Sequence, residues 1–283
     1  MALLAIETSS RLLGTAVIDG EHLLSSYELV AGHPHAVELP NAVTRVLQAA
    51  NTTLRQLEAI VVDIGPGSFT GLRIGVAFVK ALAFPTNTPV VAVPSLDALA
   101  ANVPFAPLPV CALLDARQHN VYAALYHLDP STPGSTLPRL DLRARSGSLT
   151  VAQDSAPRAD GETLQALPVG LHGARQVRQT DYFLGPVDDI LSRVTQPTLF
   201  IGDGCVPYKD HILARCPQAQ FAAPDAWLPR AATVARLGRE RFAQGQRDDP
   251  ATLVPMYLYP LDCSVRGPNR PTSILPKQAP QVA

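Results

Sequence analysis

The sequence predicts an α/β fold of two similar lobes, and three observations carry that expectation. The chain opens on three strand-like runs, LLAIE at 3–7, TAVID at 15–19 and EHLLSSYEL at 21–29, with Asp19-Gly20 as a hairpin turn between the last two. A helix, a strand, a helix and a strand then follow, an order that departs from the strict alternation of a doubly wound nucleotide-binding fold. After the proline-rich PFAPLP at 104–109 the pattern begins again, with VCALLD at 110–115 and NVYAALYHL at 120–128. The second lobe therefore starts as the first does.

Each element has its own signal. Over 36–50, Leu39, Val43, Val46, Leu47 and Ala50 recur at three- and four-residue spacing, the period of an amphipathic helix. Pro40 fits that helix only in its first turn. A short helical piece at 53–57 leads to AIVVDI at 59–64, continuously apolar except for Asp63 and so expected as a central strand buried on both faces. The loop GPGSFTGLRIG at 65–75 launches a helix over 71–84 that Pro85 ends. PVVAV at 89–93 is a strand, and SLDALAAN at 95–102 a short helix with Ser95 as N-cap. Residues 130–180 are polar and proline-punctuated, which suggests extended hairpins and loops with little chemistry. LFIGDG at 199–204 is a strand and turn, 208–216 a helix, and 232–246 an amphipathic helix with Val234, Leu237 and Phe242 facing inward. The expected division is a first lobe at 1–105 and a second at 106–262 with an excursion at 130–195, followed by a disordered tail at 263–283.

Composition excludes several functions. A chain of 283 residues with 47% hydrophobic content can bury a sizeable core. Its formal net charge of -1 leaves no basic footprint for holding nucleic acid alone, so any RNA must be held by something else. The four cysteines, Cys111, Cys205, Cys216 and Cys263, show no C-x-x-C spacing, which argues against a zinc ribbon and a disulfide framework and suits a reducing cytoplasm. The opening MALLAIETSS lacks a basic start and its apolar run stops at Glu7, so neither a signal peptide nor a membrane span is expected there. Elsewhere no apolar run of about 18 residues is free of charge, glycine and proline, and a soluble chain is expected.

The glycine loop matches neither standard phosphate motif. No lysine follows Gly71 as a Walker A loop requires, and Gly65, Gly67 and Gly71 are spaced G-x-G-x-x-x-G instead of G-x-G-x-x-G. Two readings stand. Backbone N–H groups at a helix start, with Thr8, Ser9, Gly65, Gly67, Ser68, Thr70 and Gly71 nearby, make an anion or nucleotide seat. The plainer reading is a turn whose glycines take positive φ and whose Thr70 caps the helix. Glu7-Thr8-Ser9-Ser10 is a poor version of the first phosphate loop of two-lobed ATPases, with glutamate for aspartate and no glycine. LLDARQHNVY at 113–122 has Asp115 but no glycine after it. His33 and His35 lack further ligands at metal spacing, and a polar contact at a helix start suits His35 better. Ser9, Ser10 and Ser68 have no G-x-S-x-G context and no assignable triad, so no catalytic residue and no metal are expected.

The helix is more informative than the loop. In LRIGVAFVKALAF the residues Leu72, Ile74, Val76, Phe78, Val79, Leu82 and Phe84 spread around most of the circumference, broken only by Arg73 and Lys80. Such a helix must be covered on most faces, either by its own chain or by a partner protein. With the helix at 36–50 it forms a candidate helical docking surface.

ETSS after the first strand, HAVELP at 35–40, IGPGSFTGLRIGVAFVKALAF at 64–84, VPSLDALA at 93–100, LLDARQHNVYAALY at 113–126 and the GDG near 202 together resemble the tRNA threonylcarbamoyladenosine biosynthesis protein TsaB (YeaZ) family. The resemblance covers about residues 1–128 well and 202–258 loosely. It implies an actin-like ATPase fold (ASKHA, ribonuclease H-like), two-lobed, with mixed sheets flanked by helices. It implies also a degenerate paralogue of the catalytic subunit TsaD, without catalytic residues of its own, that supports transfer of a threonylcarbamoyl group to the adenosine beside the anticodon. The implied partners are a TsaD-type paralogue, a TsaE-type ATPase and a second copy of the chain, with tRNA met only through the complex and no membrane. The implied partner interface draws on His35, Leu39, Val43, Leu72, Arg73, Val76, Val79 and Lys80. No cofactor of its own is implied, and a complex interface is the one place left for ATP.

Two departures stand out. Asn120 replaces the acidic residue of the family's D-A-R-x-x-E-V-Y, and PMYLYP at 255–260 lacks the arginine of its P-x-Y-L-R. A nucleotide-binding ATPase or small-molecule kinase of the actin-like superfamily is the alternative. A peptidase is a weaker one, because the paired metal-binding histidines of the catalytic paralogue are missing.

Overall fold

The computed structural model describes residues 2–30, 35–129 and 176–259. Its first sheet has the order β3-β2-β1-β4-β5, built from β1 (Ala2–Glu7), β2 (Leu12–Asp19), β3 (His22–Val30), β4 (Leu57–Gly65) and β5 (Val90–Pro94). The β1–β2–β3 meander is antiparallel, whereas β1–β4 and β4–β5 are parallel, so the sheet is mixed. Alternate residues of the inner strands feed two cores. Leu4, Ile6, Ile60 and Val62 meet helices α1 (His35–Ala49) and α2 (Phe69–Thr86) on one face. Leu3, Ala5, Ala59 and Val61 meet Val234 and Ala235 of helix α6 (Ala231–Ala243) on the other. Coverage of both faces explains why β1 and β4 read as nearly continuous apolar runs.

The second sheet has the order β11-β10-β6-β7-β8, with β9 also pairing β7. Its strands are β6 (Val110–Arg117), β7 (Asn120–Leu128), β8 (Gln176–Arg178), β9 (Phe183–Pro186), β10 (Leu199–Ile201) and β11 (Gln220–Phe221). It too is mixed: β6 runs antiparallel to β7 and parallel to β10. Helix α3 (Ser95–Ala100) packs on one face, and α4 (Val187–Leu191) and α5 (Cys205–Arg215) on the other. Two mixed sheets flanked by helices make the actin-like, ribonuclease H-like fold.

Several local expectations differ from the structure. Helix α6, placed by sequence in the 106–262 lobe, covers the first sheet, because Gly238 lets it lie against Val61 where a Cβ would overlap that side chain. The segment after it runs between the lobes. Leu253 joins the first core, the Met256 N–H donates to the Ile64 carbonyl (2.6 Å), and the Tyr259 hydroxyl donates to the Ala116 carbonyl (2.8 Å). Helix α2 starts at Phe69 and continues past Pro85, and Ser68, not Thr70, is its N-cap, accepting the Gly71 N–H at 3.3 Å. Pro40 lies beyond the first turn of α1, at an exposed position four residues after exposed Ala36, where water can take the lost bond. Ser95 is not an N-cap but the first residue of α3, and its hydroxyl is used elsewhere. Of the 130–195 excursion, the described part forms β8, β9 and α4. Residues 130–175 and the tail at 263–283 lie outside the described residues, as does His33.

By length and composition α2 is apolar enough to cross a membrane, with a mean hydropathy of 1.2 over 18 residues. Its inward face, however, is part of the first core.

On an open helix surface, Gly238→Ala would raise stability by up to about 1 kcal/mol through helix propensity. The overlap with Val61 predicts the opposite sign, a net loss of about 1–3 kcal/mol. A lower urea midpoint at unchanged m-value is the expected readout.

Candidate functional site

Strand β1 ends at Glu7 and turns through Thr8, Ser9 and Ser10 into β2. The start of α2 rests on that turn. The Ser68 N–H donates to the Ser9 carbonyl at 2.6 Å. Gly67, Gly71 and Gly75 are four residues apart and so share one side of the helix start. A Cβ at Gly67 would overlap the Ser9 carbonyl oxygen, at Gly71 the Thr8 carbonyl oxygen, and at Gly75 the Thr8 hydroxyl. These glycines therefore serve close approach. Only Gly65 of the loop has positive φ, at 104°, which corrects the turn reading for Gly67 and Gly71. Thr8, Ser9, Gly65 and Gly71 are buried, while Ser68 and Thr70 face solvent. The backbone of Thr8 and Ser9 fills the space on that side of the helix start.

At the same strand ends, on the face of the sheet that carries α6 and α3, lie two carboxyl groups. Glu7 and Asp63 are both fully buried, brought together because β1 and β4 pair in parallel with Ile6 beside Val62. Glu7 Oε1 accepts the Ser9 N–H (2.7 Å) and the Ser9 hydroxyl (2.6 Å). Asp63 Oδ1 accepts the Gly65 N–H (2.8 Å) and the Ser95 hydroxyl (2.5 Å). Glu7 Oε2 and Asp63 Oδ2 have no hydrogen-bond partner. Burial, then the charge of Asp63, pushes Glu7 well above the usual carboxylate range, and burial pushes Asp63 up as well. Sequence reasoning treated the two residues separately. The signal for Asp63 was its place as the sole polar residue in an apolar strand.

In the second lobe, the Asp115 N–H donates to Asp203 Oδ1 at 3.1 Å, and Arg117 pairs with Asp115 at 3.5 Å. Burial holds the Asp203 carboxyl above its usual range. The β6–β7 turn places Arg117, Gln118 and His119 in the left-handed region although none is glycine. Asn120, where the family pattern has an acid, points its amide at the Tyr259 hydroxyl (3.5 Å). Among the described residues no three His, Cys, Asp or Glu side chains gather as a metal site.

The residues named for a partner interface divide sharply. Leu39, Val43, Leu72, Val76 and Val79 are at most 4% exposed; Leu39, Val43, Val76 and Val79 belong to the first core, and Leu72 packs against Gly65, so all five are buried within the chain. His35 is half-buried at the start of α1, and desolvation lowers its pKa. Arg73 is exposed over the Phe69 ring at 5.2 Å, and Lys80 donates to the Ala251 carbonyl at 3.3 Å. The outward side of α2 instead carries Phe69 (57% exposed), Phe84 (60%), Ala77 and Ala81, with Ile74, Phe78 and Leu82 half-buried. Phe69 also packs on Tyr257 of the inter-lobe segment, ring centroids 5.2 Å apart. Touching α2, helix α1 adds Val37, 61% exposed.

The family model for tRNA N6-adenosine threonylcarbamoyltransferase (TsaD) matches residues 29–137. The tRNA threonylcarbamoyladenosine biosynthesis protein TsaB of Bacillus subtilis is 38% identical over 126 residues, covering 44% of this chain and 55% of that protein. The Escherichia coli protein of the same name is 30% identical over 131 residues, 46% of this chain and 56% of that one. The crystallised YeaZ of Pseudomonas aeruginosa superposes with a TM-score of 0.65 at 25% identity, over 91% of this chain and 99% of that one. The chain is similar to the TsaB (YeaZ) proteins. The match spans about half the length of the curated TsaB relatives. At the end of β1 the start of α2 is packed backbone to backbone on Thr8 and Ser9.

Ser95→Ala removes a donor from the buried Asp63 and leaves part of a carboxylate unsatisfied. The expected cost is about 1–3 kcal/mol, measured by urea unfolding at neutral pH. A Ser10→Ala control, at a half-buried hydroxyl that bonds only locally, is expected to cost less.

Proposed function

We propose that the chain is a non-catalytic subunit of the machinery that makes tRNA threonylcarbamoyladenosine, and that the outward face of α1 and α2 docks a TsaD-type catalytic paralogue. The observation that carries this reading is the outward strip of α2, where Phe69, Phe84, Ala77 and Ala81 stand exposed on a helix whose opposite side is locked to its own lobe. Contiguous exposed apolar surface on a rigid element is what protein interfaces use. The names of the curated TsaB relatives, and the TsaD family model that spans both helices, supply the process.

Several further properties belong to the same proposal. The chain works in the cytoplasm, carries no cofactor of its own, and touches ATP only where partners meet. A TsaE-type ATPase joins the assembly, and a homodimer uses a related surface. With a net charge of -1 the chain meets tRNA through the complex.

Burial decides which substitutions test the interface. Ala77→Glu and Phe84→Asp place charge on the outward face and are expected to leave the circular dichroism spectrum and melting unchanged while abolishing co-purification with the TsaD-type protein. If both variants fold and still capture the partner, the interface lies elsewhere. Val79→Asp is different. It buries a charge at a position with 0% exposure and is expected to destabilise the lobe by several kcal/mol, so loss of binding there says nothing about docking. Calorimetry with ATP and magnesium on the isolated chain separates the alternative, since micromolar binding with turnover would replace the scaffold by a kinase or ATPase.

A further inference from the structure

The outward strip of α2 does not end on the helix. Phe69, Arg73, Ala77 and Ala81 are exposed and four residues apart, so they share one side of α2. At the first of them the segment 250–259 adds a second aromatic ring: Tyr257, 40% exposed, stands with its centroid 5.2 Å from that of Phe69 and its plane inclined at 35°. The Arg73 guanidinium lies over the Phe69 ring, also at 5.2 Å. Two exposed aromatic rings and an arginine thus meet at one point, and these are the residue types that carry binding energy in protein interfaces. The position of the Tyr257 ring is fixed from both ends of its segment. Lys80 holds the Ala251 carbonyl, Leu253 is buried in the first core, the Met256 N–H donates to the Ile64 carbonyl, and the Tyr259 hydroxyl donates to the Ala116 carbonyl of β6. Gly65 admits the segment this closely, because a Cβ there would come within 3.1 Å of the Met256 carbonyl oxygen. A partner therefore meets Tyr257 already ordered, and little conformational entropy is lost on binding.

We propose that Tyr257, Phe69 and Arg73 form the affinity-determining end of the docking face, and that they receive an apolar side chain and a carboxylate of the TsaD-type partner. The site depends on the docking function proposed above and extends it to a segment outside residues 29–137, which the TsaD family model matches. Charge selects the carboxylate. Neither α2 nor the segment 250–259 contains Asp or Glu, whereas α2 carries Arg73 and Lys80, so the cation at the aromatic pair has no acid on either element. An apolar partner group laid on the two rings shields the guanidinium from water, which strengthens its attraction for a carboxylate. Because Met256 is tied to β4 and Tyr259 to β6, a partner seated on Tyr257 rests on a segment that both lobes anchor, and not on α2 alone.

The affinity of the full chain for the TsaD-type protein, measured by calorimetry at low and high salt, tests this site. Tyr257→Ala is expected to raise Kd by about tenfold or more, and Tyr257→Phe, which keeps the ring, to stay within about twofold of wild type. Arg73→Glu reverses an exposed charge and leaves the segment 250–259 in place. It is expected to weaken binding by about tenfold and to remove the loss of affinity with salt that the wild-type chain shows. Circular dichroism and melting check that each variant folds. Where removal of the Tyr257 ring lowers the melting temperature, Arg73→Glu alone carries the test, and unchanged affinity there overturns the proposal. Phe84→Asp, at the other end of α2, is the reference. If it abolishes binding while folded Tyr257→Ala and Arg73→Glu bind as wild type, this end of the face is unused and the docking function stands. If Phe84→Asp, Ala77→Glu and both of these variants bind normally, the docking function fails and this site fails with it.

Discussion

Helix α2 begins backbone against backbone on the β1–β2 turn, and this contact conditions much of the first lobe. Gly67, Gly71 and Gly75 remove every side chain from the side of the helix that meets Thr8 and Ser9. The four-residue spacing is what matters, because it is the spacing that keeps positions on one helical face. With the helix held so close, its orientation about its own axis is set: Leu72, Val76, Val79 and Ala83 go into the core, and Phe69, Ala77, Ala81 and Phe84 go out.

The same contact closes the ends of β1 and β4. On the other face of the sheet, toward α6 and α3, the chain places a buried carboxyl pair. Around the pair, Ser9, Gly65 and Ser95 supply donors, while Glu7 Oε2, Asp63 Oδ2 and the Thr8 hydroxyl have no hydrogen-bond partner. The apolar outer face of α2 is the physical basis for the proposal that the chain is a docking subunit.

The lobes are joined by more than a linker. Helix α6 leaves the second-lobe region of the sequence to cover the first sheet, and Asp97 of α3 receives Tyr126 of β7 at 2.8 Å and Arg241 of α6 at 2.7 Å. The 253–259 segment adds Leu253 to one core and Tyr259, edge-on to Tyr122 at 6.1 Å, to the other. Such ties mean that the outer face of α2, braced by Tyr257, is presented from a body in which the two sheets are held together.

Local pattern was enough for the α/β class, the strand meander, the repeat of the pattern after 104–109, and helices α1 and α2, because apolar period and turn chemistry act over a few residues. It was enough also to see that α2 is apolar on too many sides for a surface helix. Which side is which could not be read, since that depends on the glycines' fit to a turn some sixty residues earlier in the chain. Leu72, Val76 and Val79 were therefore offered as interface when the sheet claims them, and Phe69 and Ala77 were passed over. Glu7 and Asp63 were visible as polar residues at strand ends, but their pairing exists only through the parallel register of β1 and β4. The assignment of α6 to the first sheet likewise rests on distant contacts, with Val234 and Ala235 in the core beside Leu3 and Ala59, and Gly238 against Val61. The sequence by itself determined the elements and the resemblance they carry. Tertiary structure alone decided which faces are buried and which acids meet, because those depend on contacts between segments far apart in the chain.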